Sequence, residues 1–171
     1  MVGFGATSRR EAEFTAFVAS ASRYLARTAY LLTGSQDLAD ELVQEALTRT
    51  YAAWDRVRLD DATSYARRVL VNVSIDHRRR RRPIPVEWAA ERPSGEWPQS
   101  RVDDRDEVAR MLATLTPKQR RIVVLRYFDD YTEAQTAECL GITVGAVKSA
   151  CSRALAGLRD AVASTTEGAE S

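Results

Sequence analysis

The positions of proline divide this chain into two halves. Four of its five prolines lie in one stretch that has no helical period: Pro83, Pro85, Pro93 and Pro98. Proline lacks an amide hydrogen and clashes with the preceding turn, so a helix cannot continue through this stretch. On either side, apolar residues recur at three- and four-residue intervals, and strand patterns are nearly absent. The sequence predicts an all-α fold with two small helical domains, residues 11–82 and 104–160, joined by a Pro-rich linker at 83–103.

The chain ends and the composition narrow the class of protein. Residues 1–10 have no helical period and are predicted to be a flexible lead, and residues 161–171 are predicted to be a polar tail. The net charge is only +1, although 23 of the 25 basic residues are arginine. No apolar run reaches the roughly 20 residues that cross a bilayer, and the N-terminus lacks a signal-peptide pattern. We therefore expect a cytoplasmic protein without membrane insertion.

Residues that could carry catalysis or bind a metal do not form a recognisable motif. Cys139 and Cys151 make no CxxC pair and have no neighbouring histidine, so we expect them to be small core residues. The one histidine, His77, adjoins a run of arginines. The sequence contains no nucleophile with a matching base, zinc ligand set or phosphate-binding glycine loop. It therefore predicts no enzyme activity, no cofactor and no metal.

The stretch from Tyr131 to Arg159 has the pattern of two helices joined by a tight turn. Thr132 and Gln135 form a capping box that starts the first helix, and Gly141 can supply the positive φ that ends it. Thr143 can cap the second helix. The buried stripe of that helix is predicted to be Val144, Val147, Cys151, Leu155 and Leu158. The stretch therefore predicts a helix-turn-helix, with an ordinary helical hairpin as the alternative.

The outward face of the second helix suits contact with DNA phosphates. Between Val144 and Leu158 it carries basic and hydroxyl groups but no carboxylate: Lys148, Ser149, Ser152 and Arg153.

Two helices of the first domain carry opposite charges. The helix that begins at Ser35 has an acidic outer surface without a basic residue: Asp37, Asp40, Glu41, Gln44 and Glu45. Taken alone, this cluster is better explained as a solvated face. The next long helix, Thr63 to about Arg82, contains Arg67, Arg68 and five consecutive arginines at 78–82. Their mutual repulsion indicates an anionic partner, for which nucleic acid is the best candidate.

This order of parts resembles the extracytoplasmic-function sigma factors, the promoter-recognition subunits of bacterial RNA polymerase, over about residues 14–159. Residues 41–45, ELVQE, are similar to the core of the polymerase-binding helix in that family, although the family usually has Asp at the position of Glu41. Val71, Asn72 and Asp76 match its promoter-melting helix. Residues 115–126 and 144–155 are similar to its second domain.

The resemblance implies a function and a set of partners. The chain would direct core RNA polymerase to specific promoters and promote DNA melting, without catalysing a reaction itself. Its partners would be the clamp and flap of polymerase and promoter DNA, both duplex and single-stranded, and an anti-sigma factor is a further candidate. The acidic surface, residues 37–45, would bind the clamp. The linker, which carries several acids and two tryptophans, would pass toward the active-site channel.

The resemblance also implies DNA-binding residues. In the first domain, Val57, Arg58 and Asn72 would line a pocket for a base flipped from the non-template strand. The surface around the −10 element would further include Tyr65, Arg67, Arg68, Arg78, Arg79 and Arg80. In the second domain, the −35 element would be contacted by Gly145, Lys148, Ser149, Ser152 and Arg153. Ala150 stands where many members of the family carry arginine.

Two other classes of protein compete with this interpretation. A stand-alone helix-turn-helix regulator would need a ligand pocket or a symmetric dimer face, and an acidic helix followed by an arginine-rich helix suits neither. A small nuclease would need a histidine or lysine beside the carboxylates of the acidic helix, and the sequence provides none there.

Overall fold

The computed structural model of the chain describes the backbone of residues 4–81 and 104–168, and the side chains of residues 9–80 and 106–161. Every regular element in these ranges is helical, which confirms the predicted all-α class. The helices are α1 (Phe4–Thr33), α2 (Gln36–Ala52), α3 (Ala62–Arg81), α4 (Asp104–Ala113), α5 (Pro117–Val123), α6 (Glu133–Leu140) and α7 (Val144–Gly168). Short 3-10 turns occupy Trp54–Arg56 and Leu59–Asp61, and a π-helical turn occupies Val124–Phe128. The predicted linker, 83–103, lies outside the described residues.

The first domain is a bundle of α1, α2 and α3 around a shared apolar core. Leu25, Leu42 and Leu70, one from each helix, are almost completely buried in it. An aromatic cluster closes one end of the bundle, where the rings of Phe14 and Trp54 meet edge to face at 4.9 Å. Gly34 has φ of 71° between α1 and α2, and the side chain of Ser35 accepts a hydrogen bond at the start of α2, as the sequence predicted.

Both chain ends are more helical than the sequence predicted. Helix α1 begins at Phe4, so the flexible lead predicted over residues 1–10 is wrong from Phe4 onward. Arg10 fixes this extension, because it donates to the Tyr51 carbonyl at 2.7 Å and lies over the Tyr51 ring. Helix α7 continues to Gly168, although a polar tail was predicted over 161–171. No glycine or proline interrupts the sequence between Arg159 and Gly168, so nothing local ends the helix earlier.

The second domain packs α5, α6 and α7 into the predicted helix-turn-helix and places α4 beside them. Capping boxes start α5 at Thr116 and α6 at Thr132, and Gly141 adopts φ of 63° in the turn. A π-helical turn then follows α5, with the Asp129 amide bonded to the Val124 carbonyl at 3.1 Å. This turn contains one more residue than an α-helical turn. As a result, the Asp129 residue that follows it is buried in the protein.

The two domains are in direct contact. Leu31 of α1 is buried against Leu112 and Leu115 of the second domain. Val71 of α3 is buried against Leu125 and Tyr131. The described residues therefore form a closed arrangement in which each domain covers part of the other.

Candidate functional site

The acidic surface of α2 is formed as the sequence predicted. Asp37, Asp40, Glu41 and Gln44 are exposed, and Glu45 is half-buried. The opposite side of the helix holds its buried residues: Ala39, Leu42, Val43, Ala46 and Thr50. One basic residue adjoins this surface, because Arg49 lies 2.5 Å from Glu45 and 3.5 Å from Asp76 of α3. The surface is therefore negatively charged, and Arg49 at its edge neutralises part of that charge.

Helix α3 presents a polar stripe to solvent. Tyr65, Arg68, Asn72 and Arg79 lie three, four and seven residues apart, which places them on one face. Asn72, Arg79 and Arg80 are exposed, whereas Tyr65, Arg68 and Arg78 are partly covered. Arg68 also lies 3.5 Å from Glu138 of α6, so this stripe reaches the second domain.

The loop before α3 contributes two of the predicted residues of the base-binding pocket. Val57 packs against the first core, whereas Arg58 is exposed and pairs with Asp60 at 2.9 Å. Leu59 beside them is 62% exposed. An exposed apolar side chain next to an exposed arginine is suited to contact an unstacked base.

Arg67 does not lie where a DNA-binding residue should. Its side chain is only 11% exposed and is held between the rings of Tyr24 and Tyr131, with centroid distances of 4.3 and 4.7 Å. It donates to the Asp129 carbonyl at 3.1 Å, and its Nε lies 3.6 Å from the Asp129 carboxylate. The prediction that Arg67 contacts DNA is therefore wrong for the closed arrangement, because the second domain covers it.

The carboxylate of Asp129 is the centre of this interdomain contact. It is 2% exposed, accepts a hydrogen bond from the Thr28 hydroxyl at 2.9 Å and faces the Arg67 guanidinium. Burial raises the pKa of Asp129, while Tyr24, Arg67 and Thr28 oppose the rise. We refer to Tyr24, Thr28, Arg67 and Asp129 as the Asp129 cluster. No motif or spacing in the sequence predicts this cluster, because its members come from two separate helices and a turn.

Arg120 is a second buried arginine between the domains. It donates to the carbonyls of Leu112 and Ala113 at the end of α4, at 2.9 and 3.2 Å, and to the Leu32 carbonyl at the end of α1, at 3.2 Å. One guanidinium thus caps two helix C-termini from different domains. Burial, followed by the charges of Arg78 and Arg121, lowers the pKa of Arg120 to about 10.

The outward face of α7 exposes the residues that the sequence analysis assigned to the −35 element. All five residues are exposed: Gly145, Lys148, Ser149, Ser152 and Arg153. Lys148 lies 3.6 Å from Glu133 of α6. The inward stripe differs from the prediction, since Val147, Ala150 and Ala154 are buried while Val144 is 39% exposed. Ala150 packs against Ile122 and Ala137, so the position that resembled a DNA-facing arginine belongs to the core.

Comparison with known proteins identifies the family. The chain matches the sigma-70 region 2 model over residues 17–84 and the sigma-70 region 4 model over residues 105–158. It is 37% identical over 153 residues to RNA polymerase sigma-E factor of Streptomyces coelicolor, covering 86% of this chain and 85% of that protein. It is 32% identical over 177 residues to ECF RNA polymerase sigma factor SigM of Mycobacterium tuberculosis, covering 92% and 87%.

The chain belongs to the extracytoplasmic-function sigma factors. As an RNA polymerase sigma factor, it acts in transcription initiation by directing core polymerase to promoters, and the stand-alone regulator is not favoured. Solved structures support the same fold: the sigma factor RpoE in complex with the anti-sigma factor NepR from Bartonella quintana has a TM-score of 0.67 at 22% identity, covering 86% of this chain and 94% of that one. CnrH in complex with the cytosolic domain of CnrY has a TM-score of 0.63 at 21% identity, covering 88% of each chain.

Among the described residues of this sigma factor, no helix has the length and hydrophobicity of a membrane span. No group of three or more histidine, cysteine or carboxylate side chains in the same residues is arranged to hold a metal ion.

Proposed function

We propose that three surfaces of this sigma factor divide the work of promoter opening. The acidic surface of α2 binds the polymerase clamp, the polar stripe of α3 with the loop before it binds the melted −10 strand, and the outward face of α7 reads the −35 duplex. On this proposal residues 11–82 and 104–160 are the two functional domains. The observation that carries it is the separation of one negative and two basic, outward-facing surfaces on a single small fold.

The clamp contact is assigned to Asp37, Asp40, Glu41, Gln44 and Glu45. These side chains lie on one side of α2, and the buried side anchors the helix in the first core. Glu41 and Asp40 at the centre are exposed, so they can form charge-assisted contacts with a basic partner. Glu45 is partly neutralised by Arg49, and it should therefore contribute less than Glu41.

A charge reversal on α2 tests the clamp contact. Glu41→Lys should fold normally and weaken binding to core polymerase by roughly 2 kcal/mol or more, because a favourable charge pair becomes a repulsive one. Glu107→Lys makes the same change at an exposed position of α4 and serves as the matched control. Pull-down with core polymerase measures both. Equal retention of polymerase by Glu41→Lys and the control would remove the assignment.

The −10 contact is assigned to Val57, Arg58, Asn72 and the outward residues of α3. Arg58, Asn72, Arg79 and Arg80 are exposed and can reach an unpaired strand without rearrangement. Tyr65 and Arg68 are partly exposed on the same face, and Arg78 is half-buried near the second domain. Arg67 can join this surface only after the Asp129 cluster separates.

Duplex and single-strand contacts are separable by two substitutions. Lys148→Ala should flatten the slope of log affinity against log salt by about 0.9 if the lysine contacts a phosphate, and by less if it contacts a base.

Asn72→Ala should leave holoenzyme binding to duplex promoter nearly intact but reduce permanganate reactivity of unpaired thymines in the open complex. If Asn72→Ala lowers duplex binding and open-complex formation equally, the proposed division of work is wrong.

The remaining partners follow from the same proposal. The factor itself catalyses no reaction, because binding of the unpaired strand shifts the melting equilibrium while polymerase carries out the chemistry. Its second domain would also contact the polymerase flap, and its place of action is the cytoplasm, where polymerase and DNA are found. An anti-sigma factor is a candidate regulator, supported by the similarity to the sigma factor RpoE, which was solved in complex with the anti-sigma factor NepR.

A further inference from the structure

The contact between the two domains covers one part of the basic surface of α3. Arg67 and Arg68 lie against the second domain, whereas Asn72, Arg79 and Arg80 of the same helix are exposed. The surface assigned to the −10 strand is therefore partly occupied in the closed form, and it is occupied by the chain itself.

The groups that the second domain brings to these arginines have the chemistry of a nucleic acid. The Tyr131 ring lies on the Arg67 guanidinium at 4.7 Å, as the face of an unstacked base would. The Asp129 carboxylate lies 3.6 Å from Arg67. The Glu138 carboxylate lies 3.5 Å from Arg68. A guanidinium binds carboxylate and phosphate oxygens through the same planar set of N–H donors, so the second domain and a single strand would use the same groups of α3.

We propose that the second domain competes with the unpaired −10 strand for Arg67 and Arg68, and that it thereby inhibits single-strand binding by the free factor. The proposal rests on the −10 contact proposed for α3. The competitor is the turn that carries Asp129 and Tyr131, together with Glu138 of α6. Because the second domain encloses Arg67, a strand reaches this guanidinium only after the domains separate.

The competition lowers the apparent affinity of the free chain for a single strand. Only the open form presents Arg67, so the apparent Kd is the intrinsic Kd divided by the open fraction. If about 1% of the free chain is open, the apparent affinity falls about 100-fold. By the same linkage, a strand that binds the open form shifts the chain toward it.

Glu138→Gln tests the competition at an exposed contact. The substitution removes a carboxylate from Arg68, which keeps Asp61 of its own domain at 3.5 Å, and it leaves the buried Asp129 cluster intact. Because an exposed ion pair is weak, the affinity of the full chain for a single strand should rise only about two- to fivefold. Glu107→Gln is the matched control, since it removes the same charge from α4, which packs against α1 and α7. Fluorescence anisotropy with a labelled, mixed-sequence strand of about 12 nucleotides measures both affinities, and circular dichroism confirms folding.

Cys139 supplies an independent measure of opening. It is buried in the interdomain cluster that contains Val71 of α3, and the charges of Arg68 and Arg67 act on it. Burial raises the pKa of the Cys139 thiol to about 11, so the thiol should react slowly in the closed form. In a Cys151→Ala chain it is the only cysteine. A saturating amount of the same strand should accelerate its modification by iodoacetamide about tenfold or more, because the open form becomes the major one.

Two outcomes would overturn the competition. The first is an unchanged rate of Cys139 modification in the presence of saturating strand, which would mean that the strand binds the closed form. The second is equal strand affinity in Glu138→Gln and Glu107→Gln, which would mean that Glu138 does not oppose the strand.

Arg79→Gln distinguishes these failures from a failure of the −10 assignment. Arg79 is exposed on α3, so its loss should weaken strand binding if this helix holds the strand. Weaker binding with an unchanged Cys139 rate would leave the −10 assignment in place and remove only the competition. Unchanged binding by Arg79→Gln would show that the −10 assignment is wrong, and the competition would be wrong with it.

Discussion

At the scale of single residues, a buried hydrogen bond between Thr28 and Asp129 joins the two domains. The two residues are 101 positions apart, and their side chains are joined by a 2.9 Å hydrogen bond in a site closed to water. Hydrogen bonds to charged groups are about twice as strong as neutral ones, and losing one partner leaves a buried group unsatisfied. The Thr28 hydroxyl should therefore contribute more to the stability of the closed form than a hydroxyl that bonds to a neutral group.

Replacement of Thr28 by valine should weaken the closed form. Valine keeps the shape of the side chain but removes the donor, so we expect a loss of about 1.5–3 kcal/mol in the free energy of unfolding. Urea denaturation followed by circular dichroism measures it. Thr48→Val, which removes an exposed hydroxyl bonded within α2, is the control and should change stability by less than about 0.5 kcal/mol. Similar losses for both variants would contradict the prediction.

The raised pKa of Asp129 gives the closed form a pH dependence. A carboxyl that binds its proton more tightly in the closed form stabilises that form fully below its pKa in the unfolded chain, about 3.9, and loses this contribution as pH rises through the folded pKa. Acidification from neutral pH toward about pH 4 should therefore stabilise the natural chain relative to Asp129→Asn. Parallel urea titrations across this range measure the difference, and a constant difference would mean that Asp129 is not the responsible group.

At the scale of elements, local chemistry was the part of the fold that the sequence predicted best. The capping box at Thr132 and the left-handed turn at Gly141 follow from short-range rules, and the structure confirms both. The π-helical turn after α5 was not predicted, because no residue type marks an extra residue in a helix. The buried face of α7 differs from the predicted one. Ala150 and Ala154 are buried in the structure, whereas Val144, which the sequence placed in the core, is exposed.

Two glycines of the helix-turn-helix should respond oppositely to alanine. Gly141 has φ of 63°, where an L side chain is strained, so Gly141→Ala should destabilise the protein by about 1 kcal/mol although no atom blocks the new methyl group. Gly157 lies inside α7 with open space around it, so Gly157→Ala should stabilise by about 0.4–1 kcal/mol. Thermal unfolding measures both. Stabilisation by Gly141→Ala would mean that the turn does not hold its left-handed conformation.

At the scale of the whole molecule, the closed arrangement of the two domains could not be predicted from the sequence. Each domain has an amphipathic pattern that predicts its own core, but Leu31 and Val71 continue those patterns onto a second, interdomain core. Periodicity shows that a residue is buried and does not show against which partner. The same limitation explains why Arg67 was assigned to DNA: an arginine on a basic helix gives no sign that a carboxylate from another domain will cover it.

Loss of the Asp129 carboxyl group should open the molecule. Asp129→Asn replaces one acceptor oxygen by an amide N–H donor between the Thr28 hydroxyl and the Arg67 guanidinium, which are themselves donors, and a buried donor left without an acceptor costs about 1–3 kcal/mol. We expect a larger radius of gyration by small-angle scattering and tighter binding of a single-stranded −10 oligonucleotide by the free chain. Asp130→Asn, the same change at the exposed neighbour, should alter neither. An unchanged radius in Asp129→Asn would show that other contacts hold the domains together.

The burial of Arg67 and Asp129 also has a consequence for how the protein senses its solution. Buried ion pairs are screened far less by salt than exposed charges, whereas phosphate contacts weaken steeply as counterions accumulate. A rise in ionic strength would leave the closed molecule closed while it loosens the hold of the open molecule on DNA. Osmotic stress would thus act on this factor in one direction only, toward the closed form, and a partner that favours opening would have to counteract it.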